Sequence, residues 1–229
     1  MTAHSGRLLI LYARMPEPGK VKTRIAKHLG DEAASEIYRK FLDITVARMR
    51  TLCDAALRID YYPDTPEASG YFKHRYPYMQ CMPQSGVDLG SRMNHSLNRA
   101  FKDGFLSVCI TGSDLPDLPM EYIHTAFESL TTHDLVVGPS TDGGYYLIGL
   151  RAPAPTLFED IQWGAPSVLE CTIEKAEKAK LSYSLLPQWQ DVDTPADLHA
   201  LQMRLRMNSD KNEFTSLKEM LNKIASERV

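Results

Sequence analysis

A chain of 229 residues that is 43% hydrophobic can bury one sizeable core, and this length suits one α/β domain better than two. A formal net charge of −3 argues against non-specific nucleic-acid binding as the main task. No apolar run approaches the ~20 residues of a membrane span, and Cys53, Cys81, Cys109 and Cys171 form no Cys-x-x-Cys pair that would suggest zinc or dithiol chemistry.

The first residues lack the long apolar core of a signal peptide, so a reduced, cytoplasmic setting is expected. Residues 7–13 (Arg-Leu-Leu-Ile-Leu-Tyr-Ala) form a continuous apolar run and predict a central strand. A basic loop rich in Pro and Gly follows over 14–24. Residues 31–52 predict an amphipathic helix, with Ala34, Ile37, Tyr38, Phe41 and Ile44 on one face. Residues 55–62 predict a strand stopped by Pro63. The stretch 63–87 reads as irregular apart from a short strand over 79–82, and acceptor choice is expected to reside there and in the Trp163 loop.

A helix over 88–101 precedes a strand over 107–111, and helix 120–130 precedes strands over 134–138 and 145–150. The remaining elements are a loop with Trp163, a helix over 166–178, a strand over 183–186 and a helix over 195–207. Thr194 or Asp193 would cap that last helix, with Pro195 at its first position. A final helix over 213–226 is set off by a polar break at 208–210. Residues 1–207 are therefore expected to make one domain, with 208–229 as a helical extension packed on it. Strands alternating with helices predict a mainly parallel sheet covered on both faces, a three-layer α/β/α sandwich.

Four polar clusters stand at predicted strand ends. The first is Ala13 to Arg24, where α/β folds place a phosphate-binding turn. It has neither P-loop nor Gly-x-Gly-x-x-Gly spacing. Phosphate binding there would rest on Arg14, Lys22, Thr23 and Arg24 and on the backbone around Gly19, with Arg24 bidentate and Lys22 a point charge. The plainer alternative is a solvated basic loop. The second cluster is Gly112-Ser113-Asp114-Leu115-Pro116-Asp117, where a carboxylate at a strand's carboxyl end can hold Mg²⁺ or Mn²⁺ against phosphates. Its alternative is an acidic loop that caps the next helix.

The third cluster is Asp142-Gly143-Gly144-Tyr145, whose glycines suggest close backbone approach and whose Asp142 is a candidate general base, sugar-hydroxyl acceptor or metal neighbour. An ordinary Asp-Gly turn is the alternative. The fourth is Asp191-Val192-Asp193, two carboxylates pointing the same way that can complete a cation site with Asp114, or simply cap a helix. Trp163 suits an aromatic lid over a sugar or base. Together the clusters suit a cation-bridged phosphate substrate: a nucleotide sugar or a nucleoside triphosphate, with a small-molecule acceptor.

The motifs Ala-Arg-x-Pro-x-x-Gly-x-x-Lys-Thr-Arg at 13–24, Gly-Ser-Asp-x-Pro-x-Leu at 112–118, Asp-Gly-Gly-Tyr-Tyr-Leu-Ile-Gly at 142–149 and Asp-Val-Asp-Thr-Pro-x-Asp-Leu at 191–198 carry a resemblance. In this order they resemble a bacterial family of GT-A-type, nucleotide-diphospho-sugar-transferase-like proteins. These are the radical-SAM/selenodomain-associated glycosyltransferases, some of them described as arsenosugar biosynthesis enzymes. The resemblance covers about residues 8–205. It implies a GT-A fold similar to the nucleotidyltransferases that build molybdopterin dinucleotide and activated sugars. It also implies Asp114 as main metal ligand, Asp193 as second ligand, and Arg14, Lys22 and Arg24 facing the phosphates.

The chain departs from those nucleotidyltransferases in lacking their glycine-rich loop after the first strand, which weighs against attack on a triphosphate. It departs from the usual GT-A glycosyltransferases in that the acidic turn at 112–118 holds no tight Asp-x-Asp, Asp114 and Asp117 being three apart. The leading expectation is a metal-dependent glycosyltransferase with a nucleotide-diphosphate sugar donor. Catalysis would involve Asp142 and Lys22, and Gly143, Gly144, Tyr145 and Trp163 would bind substrate. The alternatives are a nucleotidyltransferase and a nucleotide-binding regulatory module without catalysis.

Overall fold

The computed structural model describes residues 6–207 and 212–226, so the expected break at 208–210 lies outside the described residues. The described residues form seven strands: β1 (Arg7–Arg14), β2 (Ala56–Tyr62), β3 (Gln80–Pro83), β4 (Ser107–Gly112), β5 (Leu135–Pro139), β6 (Tyr145–Leu150) and β7 (Tyr183–Leu185). The helices are α1 (Thr23–Leu29), α2 (Asp31–Met49), α3 (Pro66–Arg75), α4 (Leu89–Lys102), α5 (Met120–Ser129), α6 (Val168–Lys178), α7 (Pro195–Met207) and α8 (Thr215–Ser226). Two compact units divide them. One holds β1, Met49–Gly112 and Leu118–Gln190; the other holds Pro16–Arg48, Ser113–Asp117 and the chain from Asp191 on.

The first unit contains the whole sheet, in the order β3-β2-β1-β4-β6-β5-β7. Neighbours are parallel except around β6, which runs antiparallel to both β4 and β5. Leu8, Leu9, Ile10 and Leu11 of β1 are all buried, as a strand covered on both faces requires. On one face Leu8, Ile10, Val108, Ile110, Val137 and Ile148 pack with Met93, Leu97 and Ala100 of α4 and Ala176 of α6. The alternate residues Leu9, Leu11, Cys109 and Val136 are buried on the other face, where α5 packs along β4 and β5. Phe72 of α3 stacks on Tyr61 of β2, with ring centroids 5.1 Å apart. Helices on both faces make this unit a three-layer α/β/α sandwich.

The expected irregular stretch 63–87 contains α3, a correction with a local cause. Thr65 caps the helix by accepting from Ala68 N, and Pro66 occupies the first turn. Its apolar stripe is thin, with Ala68 and Phe72 its buried residues, so no 3.6-residue periodicity announces it. The basic loop likewise continues into α1, whose seven residues end at Gly30.

β2 carries a buried charge cluster. Arg58 and Asp60 lie two residues apart and so share a face. Arg58 Nε donates to Asp60 Oδ1 at 2.8 Å, and Asp60 Oδ2 accepts from Ser96 Oγ at 2.5 Å and Arg99 Nη2 at 3.0 Å. Both Arg58 and Asp60 are fully buried.

The second unit has its own core. Ile25 of α1, Ile37 and Phe41 of α2, Leu201 and Leu205 of α7, and Leu217 and Leu221 of α8 pack together with Phe214 and Val192.

Arg58→Met would leave the buried Asp60 carboxylate short of its main countercharge. A loss of about 3 kcal/mol or more in urea unfolding is expected, because breaking one side of a buried ion pair costs that much.

Candidate functional site

The site begins with a turn that is tied down from several directions. The segment Ser113–Asp117 belongs to the second unit. Tyr38 Oη and Ser113 Oγ share a buried hydrogen bond of 2.7 Å. Arg48 Nη1 donates to Pro116 O at 2.8 Å, and Val192 N donates to Asp114 O at 3.1 Å. Arg204 donates from Nε and Nη2 to Asp117 Oδ2 and Oδ1, at 2.6 and 3.3 Å. Leu115 is buried beneath. The turn's two carboxylates are thereby divided: Asp117 is spent on Arg204, and Asp114 faces Lys22.

Lys22 stands just before α1 in the left-handed region, φ 48° and ψ 41°, where non-glycine residues are uncommon. Its Nζ lies 2.7 Å from Asp114 Oδ1 and 2.8 Å from Asp193 Oδ1. The Tyr38 and Phe41 rings flank the ammonium at 6.0 and 5.9 Å. Only 3% of the Lys22 side chain is exposed, against 37% and 43% for the two carboxylates. Burial pulls the Lys22 pKa down, but the two carboxylates outweigh it, and the net shift is upward.

Asp193 is available for this contact because other residues cap α7. Asp197 Oδ2 accepts from Thr194 N at 2.8 Å, and Thr194 Oγ1 accepts from Asp197 N at 3.2 Å. This reciprocal box settles the choice of cap in favour of Thr194.

Among the described residues, no three His, Cys, Asp or Glu side chains converge to cage a metal. Asp114 and Asp193 do converge, with one oxygen each at 2.7 and 2.8 Å from the same ammonium and side chains 37% and 43% exposed. Two partly exposed carboxylates that meet at one point fit a hard cation that takes its other ligands from water and substrate phosphates.

The other expected residues of this unit, Gly19, Thr23 and Arg24, are exposed on the loop and first turn of α1. Gly19 takes φ 77°, and Lys20 pairs with Glu17 at 3.1 Å.

The first unit holds the remaining expected residues. Arg14 lies over the Tyr62 ring at 5.4 Å, and Arg92 of α4 lies over the same ring at 4.5 Å. Sequence reasoning missed Arg92: it is one cation among many on an amphipathic helix, and only the folded sheet brings it to Tyr62. Two guanidinium groups at one ring make a place suited to an anion.

Trp163 packs against the start of α4, where a Cβ on Gly90 would fall 2.4 Å from the indole. Its ring meets Tyr145 edge-on at 6.5 Å. The two aromatics are therefore neighbours built into the packing of this unit. Asp142 Oδ1 accepts from Gly144 N at 3.0 Å, an Asx turn that leaves the residue exposed. Gly143 has φ 88°, and a Cβ there would meet Pro166 O at 1.9 Å. The close approach expected of this glycine is thus made to the chain's own 166–169 segment, where Leu169 N donates to Gly143 O at 2.9 Å.

Comparisons with known proteins bear on the family and the fold. A bacterial family described as "uncharacterized protein conserved in bacteria (DUF2064)" matches residues 45–165. No curated protein matches the chain. Among solved structures, one from Desulfovibrio desulfuricans G20, provisionally described as a nucleotide-diphospho-sugar transferase, is 36% identical. That likeness covers 97% of this chain and 96% of the other, with a TM-score of 0.89. The molybdopterin-guanine dinucleotide biosynthesis protein A of Archaeoglobus fulgidus shares the fold at 13% identity and a TM-score of 0.53, over 86% of this chain and 99% of the other. A 4-diphosphocytidyl-2C-methyl-D-erythritol synthase does so at 11% identity and a TM-score of 0.55, over 87% and 97%. No helix among the described residues is long and apolar enough to cross a membrane.

Two measurements check the geometry of the turn. Arg204→Met strands Asp117, whose side chain is 7% exposed, and should cost about 2 kcal/mol in urea unfolding. Because the Lys22 pKa is raised above its ordinary 10.5, its ion pairs should contribute in full at lower pH and be lost only as pH climbs through that raised value. The stability gap between the wild type and Lys22→Met should therefore stay level from about pH 6 to 9 and shrink above about pH 10.5.

Proposed function

The chain belongs to the bacterial DUF2064 family of GT-A-like proteins, and we propose that it is a cation-assisted transferase that uses a nucleotide-diphosphate sugar as donor. The observation that carries this reading is the convergence of Asp114 and Asp193 on one cationic centre, with oxygens 2.7 and 2.8 Å from the same nitrogen. Support also comes from the 36% identical structure, which is provisionally described as a nucleotide-diphospho-sugar transferase and matches 97% of this chain.

In this reading Asp114 and Asp193 would hold Mg²⁺ or Mn²⁺, and the ion would supply positive charge against the diphosphate leaving group. Lys22, Arg24 and the backbone around Gly19 bind the donor's phosphates, as a point charge, a fork and N–H donors respectively. Arg14 and Arg92 bind an anionic group of the substrates beside Tyr62. Trp163 and Tyr145 supply apolar surface for a ring. The acceptor's oxygen bonds to the anomeric carbon as the bond from that carbon to the diphosphate breaks. Asp142 takes the acceptor's proton, and the nucleoside diphosphate leaves.

Thermal melts with UDP- and GDP-sugars should show stabilisation that requires Mn²⁺ and disappears in Asp114→Asn. That variant should also lose at least about 100-fold in turnover, the scale of a lost electrostatic contact to a leaving group. Stabilisation by nucleoside triphosphates alone, with release of inorganic diphosphate, would replace sugar transfer with nucleotidyl transfer. No response to any nucleotide in the presence of Mn²⁺ would overturn both.

A further inference from the structure

We propose that Lys22 is a tethered counter-cation that keeps the Asp114–Asp193 pair closed to free divalent ions, so that the metal enters together with the substrate's phosphates. The inference rests on the reading of the two carboxylates as a cation site and adds an order of events to it.

The two carboxylates are more than a third exposed, yet the point they share is filled by an ammonium that is 3% exposed. A divalent ion arriving alone must displace that ammonium. The ammonium would then be left unpaired between the Tyr38 and Phe41 rings, 6.0 and 5.9 Å away. A buried cation without its countercharge is costly, so the free ion binds weakly.

A phosphate group changes that balance. It offers the ammonium new anionic oxygens and delivers the divalent ion to the vacated carboxylates. Metal and phosphate therefore bind with positive coupling, and the coupling is reciprocal. The backbone is consistent with a residue held for this purpose. Lys22 keeps a left-handed conformation at φ 48°, which is uncommon for a residue that carries a side chain. The following residue opens α1, so a small change at 22 re-aims the side chain without unwinding a long element.

The experiment is a titration of Mn²⁺ alone, followed by the electron paramagnetic resonance signal of the free ion. The wild type is compared with Lys22→Met, Lys22→Gln and Asp114→Asn, and with each lysine variant also carrying Asp114→Asn. Both single variants should bind Mn²⁺ at least about tenfold more tightly than the wild type, within the range of ordinary coupling energies. Asp114→Asn should abolish that gain. Lys22→Gln keeps donors facing the carboxylates, which guards against misfolding in the methionine variant, and circular dichroism verifies the fold of each.

Folded variants that bind Mn²⁺ as the wild type does, or more weakly, overturn the proposal. If in that case Asp114→Asn still weakens wild-type binding, the cation site stands without the lock. If no folded form binds Mn²⁺, the cation-site reading falls and takes the lock with it.

Discussion

Two carboxylates facing each other at hydrogen-bonding range of a single point repel unless a cation stands between them. In this protein the cation is covalently part of the chain. Lys22 Nζ is bound on two sides by Asp114 and Asp193 and flanked by two aromatic rings. Much of the second unit is arranged so that this contact forms. Tyr38 and Arg48 of α2 hold the acidic turn, Arg204 of α7 removes Asp117 from competition, and Val192 fastens the Asp114 backbone.

The first unit solves a different electrostatic problem. Arg58 and Asp60 are fully buried, and both Asp60 oxygens accept, Oδ1 from Arg58 and Oδ2 from Ser96 and Arg99. Asp114 and Asp193, in contrast, are each more than a third exposed and share one ammonium. The first cluster is enclosed by the fold on all sides, whereas the second keeps a face toward solvent.

Much of this was legible in the amino-acid sequence. The sheet strands announced themselves as apolar runs bounded by Pro and Gly, and β6 matches its expected span of 145–150. The acidic turn, the Lys22 loop and Asp193 were recognisable because each follows a strand or opens a helix. Short helices were not legible: α1 has seven residues, and α3 buries too few apolar side chains to show a period. Arg92 was invisible for another reason, since its meaning depends on Tyr62, thirty positions earlier in sequence and 4.5 Å away in space. The competition between Thr194 and Asp193 for the helix cap also had to be resolved by geometry, because both residue types cap well.

That last resolution separates two properties that are often entangled. Thr194 and Asp197 satisfy the first amides of α7 between themselves. The carboxylate at position 193 is consequently surplus to the helix it precedes. A change of charge or length at that position is felt first by Lys22, whose second carboxylate it removes, and not by the cap of α7. Asp117 is the opposite case, a carboxylate whose removal would be felt first as a loosened turn. Within one small region, the chain keeps the carboxylate that faces Lys22 and the carboxylate that braces the turn on different side chains.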